Sequence, residues 1–85
     1  MSEMKIADDA ELVVGTKQTF RLIEQGRISA VYVADDADSF VTKNILESAQ
    51  KSGIDVVHVA SKRELGARCG IETGAAAAGI LIPKN

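Results

Sequence analysis

Short apolar runs alternate along the chain with stretches in which apolar residues recur every three or four positions. That alternation predicts an α/β domain with helices packed on a sheet. Residues from about Met4 to Glu11 read as a polar helix, and Leu12-Val13-Val14 reads as a short buried strand ending at Gly15. Thr16 is placed to cap a second helix running to about Gln25, with Phe20 and Ile23 turned to the core. Gly26 supplies the left-handed stop that helices commonly use. Ala30-Val31-Tyr32-Val33-Ala34 is rich in residues that favour strands.

Asp38 is well placed to cap the following helix, in which Val41, Ile45 and Ala49, with Leu46 beside them, form an apolar face until Gly53 ends it. Val56-Val57-His58-Val59 gives a third strand. Ser61-Lys62-Arg63-Glu64 has the form of a capping box, and it opens a short helix that stops at Gly70. The segment Ala75 to Ala78 favours a helix by its alanines and a strand by Gly74, Gly79 and Ile80-Leu81-Ile82. A strand is the better choice, because Pro83 suits a strand terminus and small side chains let helices approach the sheet closely. The expected order is αβαβαβαβ, a three-layer α/β/α sandwich on a four-stranded mixed sheet.

Composition narrows the function more than the fold. The 85 residues suit one domain spanning 1–85, and 46% hydrophobic with 26% charged residues is a globular balance. No apolar run approaches the roughly 20 residues that cross a bilayer. Met1-Ser2-Glu3-Met4-Lys5 lacks the apolar stretch of a signal peptide, so a cytoplasmic protein without a membrane partner is expected. One cysteine, Cys69, and one histidine, His58, exclude an internal disulfide and a Cys/His zinc site. The formal net charge of -2 argues mildly against nucleic acid. Two local basic segments run the other way: Lys17, Arg21 and Arg27 against Glu24, and Lys62, Arg63 and Arg68 against Glu64.

Few residues invite catalysis. Asp35-Asp36-Ala37-Asp38 follows a strand, where metal or phosphate chemistry often sits, but capping by Asp38 and complementing of the helix dipole by its neighbours account for it. His58 lies in an apolar strand with no nucleophile at a recognisable spacing, and Cys69 falls at a helix end whose carbonyls would raise a thiol pKa. No catalytic residue, metal or cofactor is assigned. The start of the helix at Gly15-Thr16-Lys17-Gln18 combines N–H groups suited to phosphate with side chains suited to base edges, and Arg21 shares a helical face with Lys17. An ordinary solvated helix start reads equally well. The loop Gly70-Ile71-Glu72-Thr73-Gly74 holds an apolar Ile that either covers an unstacked base or folds back into the core.

Gly15-Thr16-Lys17-Gln18-Thr19, Val33-Ala34-Asp35-Asp36-Ala37-Asp38, Ser61-Lys62-Arg63-Glu64-Leu65-Gly66 and Cys69-Gly70-Ile71-Glu72 together resemble the kink-turn-binding ribosomal-protein family. That family includes an archaeal large-subunit ribosomal protein, snoRNP and spliceosomal components and short bacterial relatives. The resemblance covers nearly the whole chain, and the length fits the bacterial branch. It implies an α/β/α sandwich that clamps a kink-turn, an RNA duplex bent at a three-nucleotide bulge followed by sheared G·A pairs.

By this similarity Gly15 and Thr16 bring the backbone close, Lys17 and Gln18 contact the G·A guanines, and Arg21 pairs with phosphate or a base edge. Ile71, Glu72, Thr73 and Gly74 would cover the bulge bases. Many family members carry Asn-Glu in place of Lys17-Gln18 and a Lys in place of Arg21, which leaves open the preferred G·A variants. The resemblance implies a monomeric, non-enzymatic RNA-binding protein, associated with a ribosome or ribonucleoprotein, whose partner is a kink-turn in rRNA or a riboswitch. The alternative is a small phosphate- or nucleotide-binding domain using Gly15-Thr16-Lys17 and the Asp35 cluster.

Overall fold

The computed structural model describes residues 11–82; the helix expected from about Met4, and Pro83, lie outside them. Within that span the order is β1 (Leu12–Val14), α1 (Thr16–Glu24), β2 (Ile28–Ala34), α2 (Ser39–Ser52), β3 (Asp55–Val59), α3 (Lys62–Cys69) and β4 (Ala77–Leu81). The alanine-rich segment is therefore extended as expected, but the strand begins at Ala77, and Ala75 and Ala76 lead into it.

Strand periodicity sorts the apolar residues onto two faces. Val31 and Val33 of β2 join Val13, Ala77 and Val56 beneath Ile23, Ile45 and Ala49, so α1 and α2 cover one face. Tyr32 and Ala34 join Val14, Ala78 and Val59 against Leu65 of α3 on the other. The result is the expected three-layer sandwich on a mixed sheet. Its strand order is β1-β4-β2-β3, with β4 antiparallel to both neighbours and β2 parallel to β3. Strands β1, β2 and β3 consequently point the same way. Their C-terminal ends, and hence the starts of all three helices, share one edge of the sheet.

Gly79 shows why the central strand is so poor in side chains. A Cβ there would meet Ile28 Cδ1 at 2.9 Å and Thr19 Cγ2 at 3.2 Å, so α1 rests directly on the β4 backbone.

Two local expectations need correction. The N-cap of α1 is Gly15, and Thr16 is the first helical residue. Gly15 has φ 113 and ψ 146, a conformation L side chains rarely adopt, which lets the chain turn from β1 into α1 without a linker. The buried face of α2 is rotated from the one expected: Ile45 and Ala49 are buried, but Val41 is 42% exposed and Thr42 and Ser48 go inside. Thr42, Ile45 and Ala49 satisfy the helical period as well as the wholly apolar series does. Ser48 tolerates burial because its hydroxyl donates to Glu24 at 3.0 Å.

Asp38 caps α2 as expected, its carboxylate accepting the Phe40 N–H at 2.9 Å. Asp38→Ala should therefore lower stability by about 1 kcal/mol, read as a shifted urea midpoint with an unchanged slope. An unmoved midpoint would mean that solvent caps the helix equally well.

Candidate nucleic-acid interface

The shared edge brings together the two segments singled out in the sequence. β1 ends at Gly15, whose N–H donates to the carbonyl of Ala77 at 2.9 Å, at the point where the loop after α3 becomes β4. The start of α1 and the end of the 70–76 loop are thus neighbours through a backbone hydrogen bond. Between them they span the β1-β4 side of the edge.

On the α1 side, no side chain caps the helix, and its first turn holds no acidic residue. The dipole's positive end is left for an anion. Lys17, Gln18 and Arg21 are exposed, whereas Thr19 and Ile23 are buried beneath them. Among the described residues none pairs with Lys17, Gln18 or Arg21, and the i, i+4 spacing sets the two cations one above the other. Gly15 and Thr16 lie half-buried at the helix mouth.

The second segment is seated on α3. The Ile71 N–H donates to the Gly66 carbonyl at 3.0 Å and the Ala75 N–H to the Lys62 carbonyl at 3.0 Å. Ile71 is half-buried against the cluster of Leu65 and Ala75, so part of its side chain belongs to the core and part reaches the surface. Glu72, Thr73 and Gly74 are exposed.

Gly66 makes this seating possible, since a Cβ there would fall onto the Thr73 carbonyl. Gly66→Ala should cost about 1–3 kcal/mol, although alanine is the better helix former. A thermal melt at or above the wild-type midpoint would show that the loop can lift away without penalty.

The acidic turn between β2 and α2 was expected to serve the α2 dipole alone, and its carboxylates turn out to be divided. Asp38 caps α2, the Asp36 carboxylate accepts the Lys62 N–H at the start of α3 at 2.7 Å, and Asp35 pairs with His58 Nδ1 at 2.9 Å. The last pair is exposed on both sides and contributes little to stability. Each carboxylate on which the phosphate-ligand alternative relied has a partner within the fold. Among the described residues, no group of three or more His, Cys, Asp and Glu side chains is placed to hold a metal.

At α3, the Ser61 hydroxyl accepts the Glu64 N–H at 3.0 Å, which is one half of the expected capping box, while the Glu64 carboxylate accepts from Arg68 at 3.0 Å. Cys69 is half-buried, and burial pushes its thiol up from the ordinary value. No helix among the described residues is long and apolar enough to cross a membrane.

A model of the ribosomal protein L7Ae/L30e/S12e/Gadd45 family matches residues 2–85. The chain belongs to this family. The resemblance read from the motifs therefore holds. A relative from Bacillus pumilus, named RNA-binding protein, is 38% identical over 82 residues, covering 96% of this chain and 100% of that one. The large ribosomal subunit protein eL8 of Halobacterium salinarum is 35% identical over 83 residues, covering 95% of this chain and 69% of that one. Among solved structures, the Giardia lamblia 15.5kD RNA binding protein superposes with a TM-score of 0.79 at 22% identity, covering 86% of this chain and 62% of that one. It shares the L7Ae-family fold.

The residues expected at the site gather at one edge: Gly15, Thr16, Lys17, Gln18 and Arg21 on α1, and Ile71, Glu72, Thr73 and Gly74 on the loop. Sequence reasoning missed Asp36. The only available signal was a run of aspartates longer than one helix cap needs, and nothing in it pointed 26 residues ahead to Lys62.

Proposed function

We propose that this chain is an RNA-binding protein that recognises and stabilises kink-turn RNA. One observation carries the reading: the Gly15 N–H to Ala77 carbonyl bond sets the uncapped start of α1 beside the loop 70–76, so that one RNA surface can meet both. The names of the curated relatives, an RNA-binding protein and a large-subunit ribosomal protein, support the class of ligand.

The chemistry follows from what a kink exposes. The major groove of a regular A-form duplex is too deep and narrow for side chains, but a kink opens it at the sheared G·A pairs. Lys17 donates to guanine O6 and N7, Gln18 both donates to and accepts from a base edge, and the open N–H groups of α1 receive a phosphate. Arg21, four residues on, takes the neighbouring phosphate. Ile71 covers a bulge base with the part of its side chain that stays outside the core, and Glu72, Thr73 and Gly74 surround it. No bond is made or broken in the RNA. The protein shifts a bent-unbent equilibrium by binding the bent form better. On this reading it works as a monomer in the cytoplasm, without a cofactor, as a ribosome- or ribonucleoprotein-associated component.

The test is a titration of a kink-turn duplex whose end-to-end distance is followed by energy transfer. Tight binding accompanied by bending is expected. Equal affinity for an unkinked duplex of the same length would refute the proposal.

A further inference from the structure

The geometry points to Asp36 as a positioning residue for the loop 71–74, acting at a distance through the first residue of α3. The Asp36 carboxylate accepts the Lys62 N–H at 2.7 Å, and the carbonyl of the same Lys62 accepts the Ala75 N–H at 3.0 Å. One residue thus links the β2-α2 turn to the far end of the loop. The rest of the loop is laid on the same two turns of helix. Ile71 is held at the Gly66 carbonyl, the Thr73 carbonyl lies over Gly66, and Gly74 lies against Lys62, where a Cβ would come within 3.1 Å of the Lys62 Cβ.

The start of α3 is therefore the bed of the loop, and it is fastened by two caps of different origin. Ser61 satisfies the Glu64 N–H from within the helix, as its sequence motif foretells. Asp36 satisfies the Lys62 N–H from another part of the chain with a short, charge-assisted bond. Asp35 secures that turn in its place: its N–H donates to the Val59 carbonyl at 2.7 Å and its carboxylate pairs with His58, both on β3. Loss of Asp36 frees the Lys62 N–H, loosens the first turn of α3 and with it the carbonyl that holds Ala75. The α1 half of the interface, tied to Ala77 instead, is untouched.

The sign of the effect separates this role from simple electrostatics. Asp36 is exposed and negative at an edge read here as the RNA surface. If it acted only through its charge, removing it would tighten RNA binding, and Asp36→Asn and Asp36→Ala would do so equally. As a positioning residue it has the opposite sign in one variant only. Asparagine keeps an oxygen that can accept the Lys62 N–H, and alanine does not.

The experiment compares the two variants in two readouts. The first is amide hydrogen exchange at Ala75 in the RNA-free protein, which does not depend on the proposed function. Exchange about fivefold faster in Asp36→Ala, and close to wild type in Asp36→Asn, is expected for loss of a helix cap. The second, which rests on the kink-turn reading, is affinity for a kink-turn duplex and for the same duplex with its bulge nucleotides made abasic.

Asp36→Ala should bind the intact bulge about fivefold more weakly and the abasic one like wild type, and Asp36→Asn should bind both at least as well as wild type. Unchanged Ala75 exchange overturns the inference, as does equal tightening of RNA binding by both variants or an equal loss on both duplexes. If the wild-type protein itself fails to distinguish kinked from unkinked RNA, the functional reading falls and the exchange at Ala75 still decides the relay.

Discussion

Replacing Lys17 and Arg21 together by alanine is expected to weaken kink-turn binding by about 2–6 kcal/mol, each residue contributing about 1–3 kcal/mol. The two side chains are exposed, share one face of α1 and pair with no other described residue, so their removal breaks no hydrogen bond or ion pair within the described fold. Loss of affinity should therefore come without loss of stability. The single variants separate the roles. Lys17→Ala should relax the preference for guanine at the sheared pairs, because the role proposed for that lysine is contact with a base edge. Arg21→Ala should weaken all kinked duplexes alike and flatten the dependence of affinity on salt, as a lost phosphate contact does. Unchanged affinity in the double variant, measured by titration calorimetry at one fixed salt concentration, would refute the assignment of the α1 face.

The second large effect concerns stability. Leu65→Ala should cost about 2–5 kcal/mol, since the side chain is fully buried and its neighbours cannot all collapse into the space it leaves. For a domain whose total stability is about 5–15 kcal/mol, that is a large fraction. Leu65 fastens α3 to the face formed by Ala34, Val59 and Ala78, with Ala75 and Ile71 packed around it. The variant should thus lose order in the loop before it unfolds globally, visible as faster amide exchange at Ile71 and Ala75 than at Val31. A loss below about 1 kcal/mol in urea would show that this layer is loosely packed.

Much of the fold was legible because its signals are local. Glycines mark three of the helix ends: Gly53 and Gly70 are left-handed C-caps, and Gly26, also at positive φ, follows the Gln25 cap of α1. Asp38 and Ser61 cap the helices they precede. What escaped is long-range or degenerate. The face of α2 shifted because two series of residues fit one helical period, and the one that is buried sets Ser48 against Glu24 on α1, a partner that periodicity does not reveal. The place of β4 between β1 and β2 leaves no trace in periodicity. The same is true of Asp36, whose partner lies across the edge.

At the site, the residue types on α1 were readable as chemistry, whereas the seating of the loop was not. It depends on Gly66 lacking a side chain, and a glycine within a helix pattern looks like a weakness until the Thr73 carbonyl is found above it.

The insertion of β4 between β1 and β2 also sets an order of events as the chain emerges from the ribosome that makes it. Neither β1 nor β2 has the other as a neighbour, and the bond from Gly15 to Ala77 does not exist until the last described strand is in place. A nascent chain that has exposed only its first seventy residues holds the basic face of α1 but no clamp. Its central sheet closes by contacts between residues far apart in sequence, which makes assembly slower than helix formation. On the proposed function, the two halves of the RNA surface are therefore joined only when β4 has paired, later than the local folding of α1.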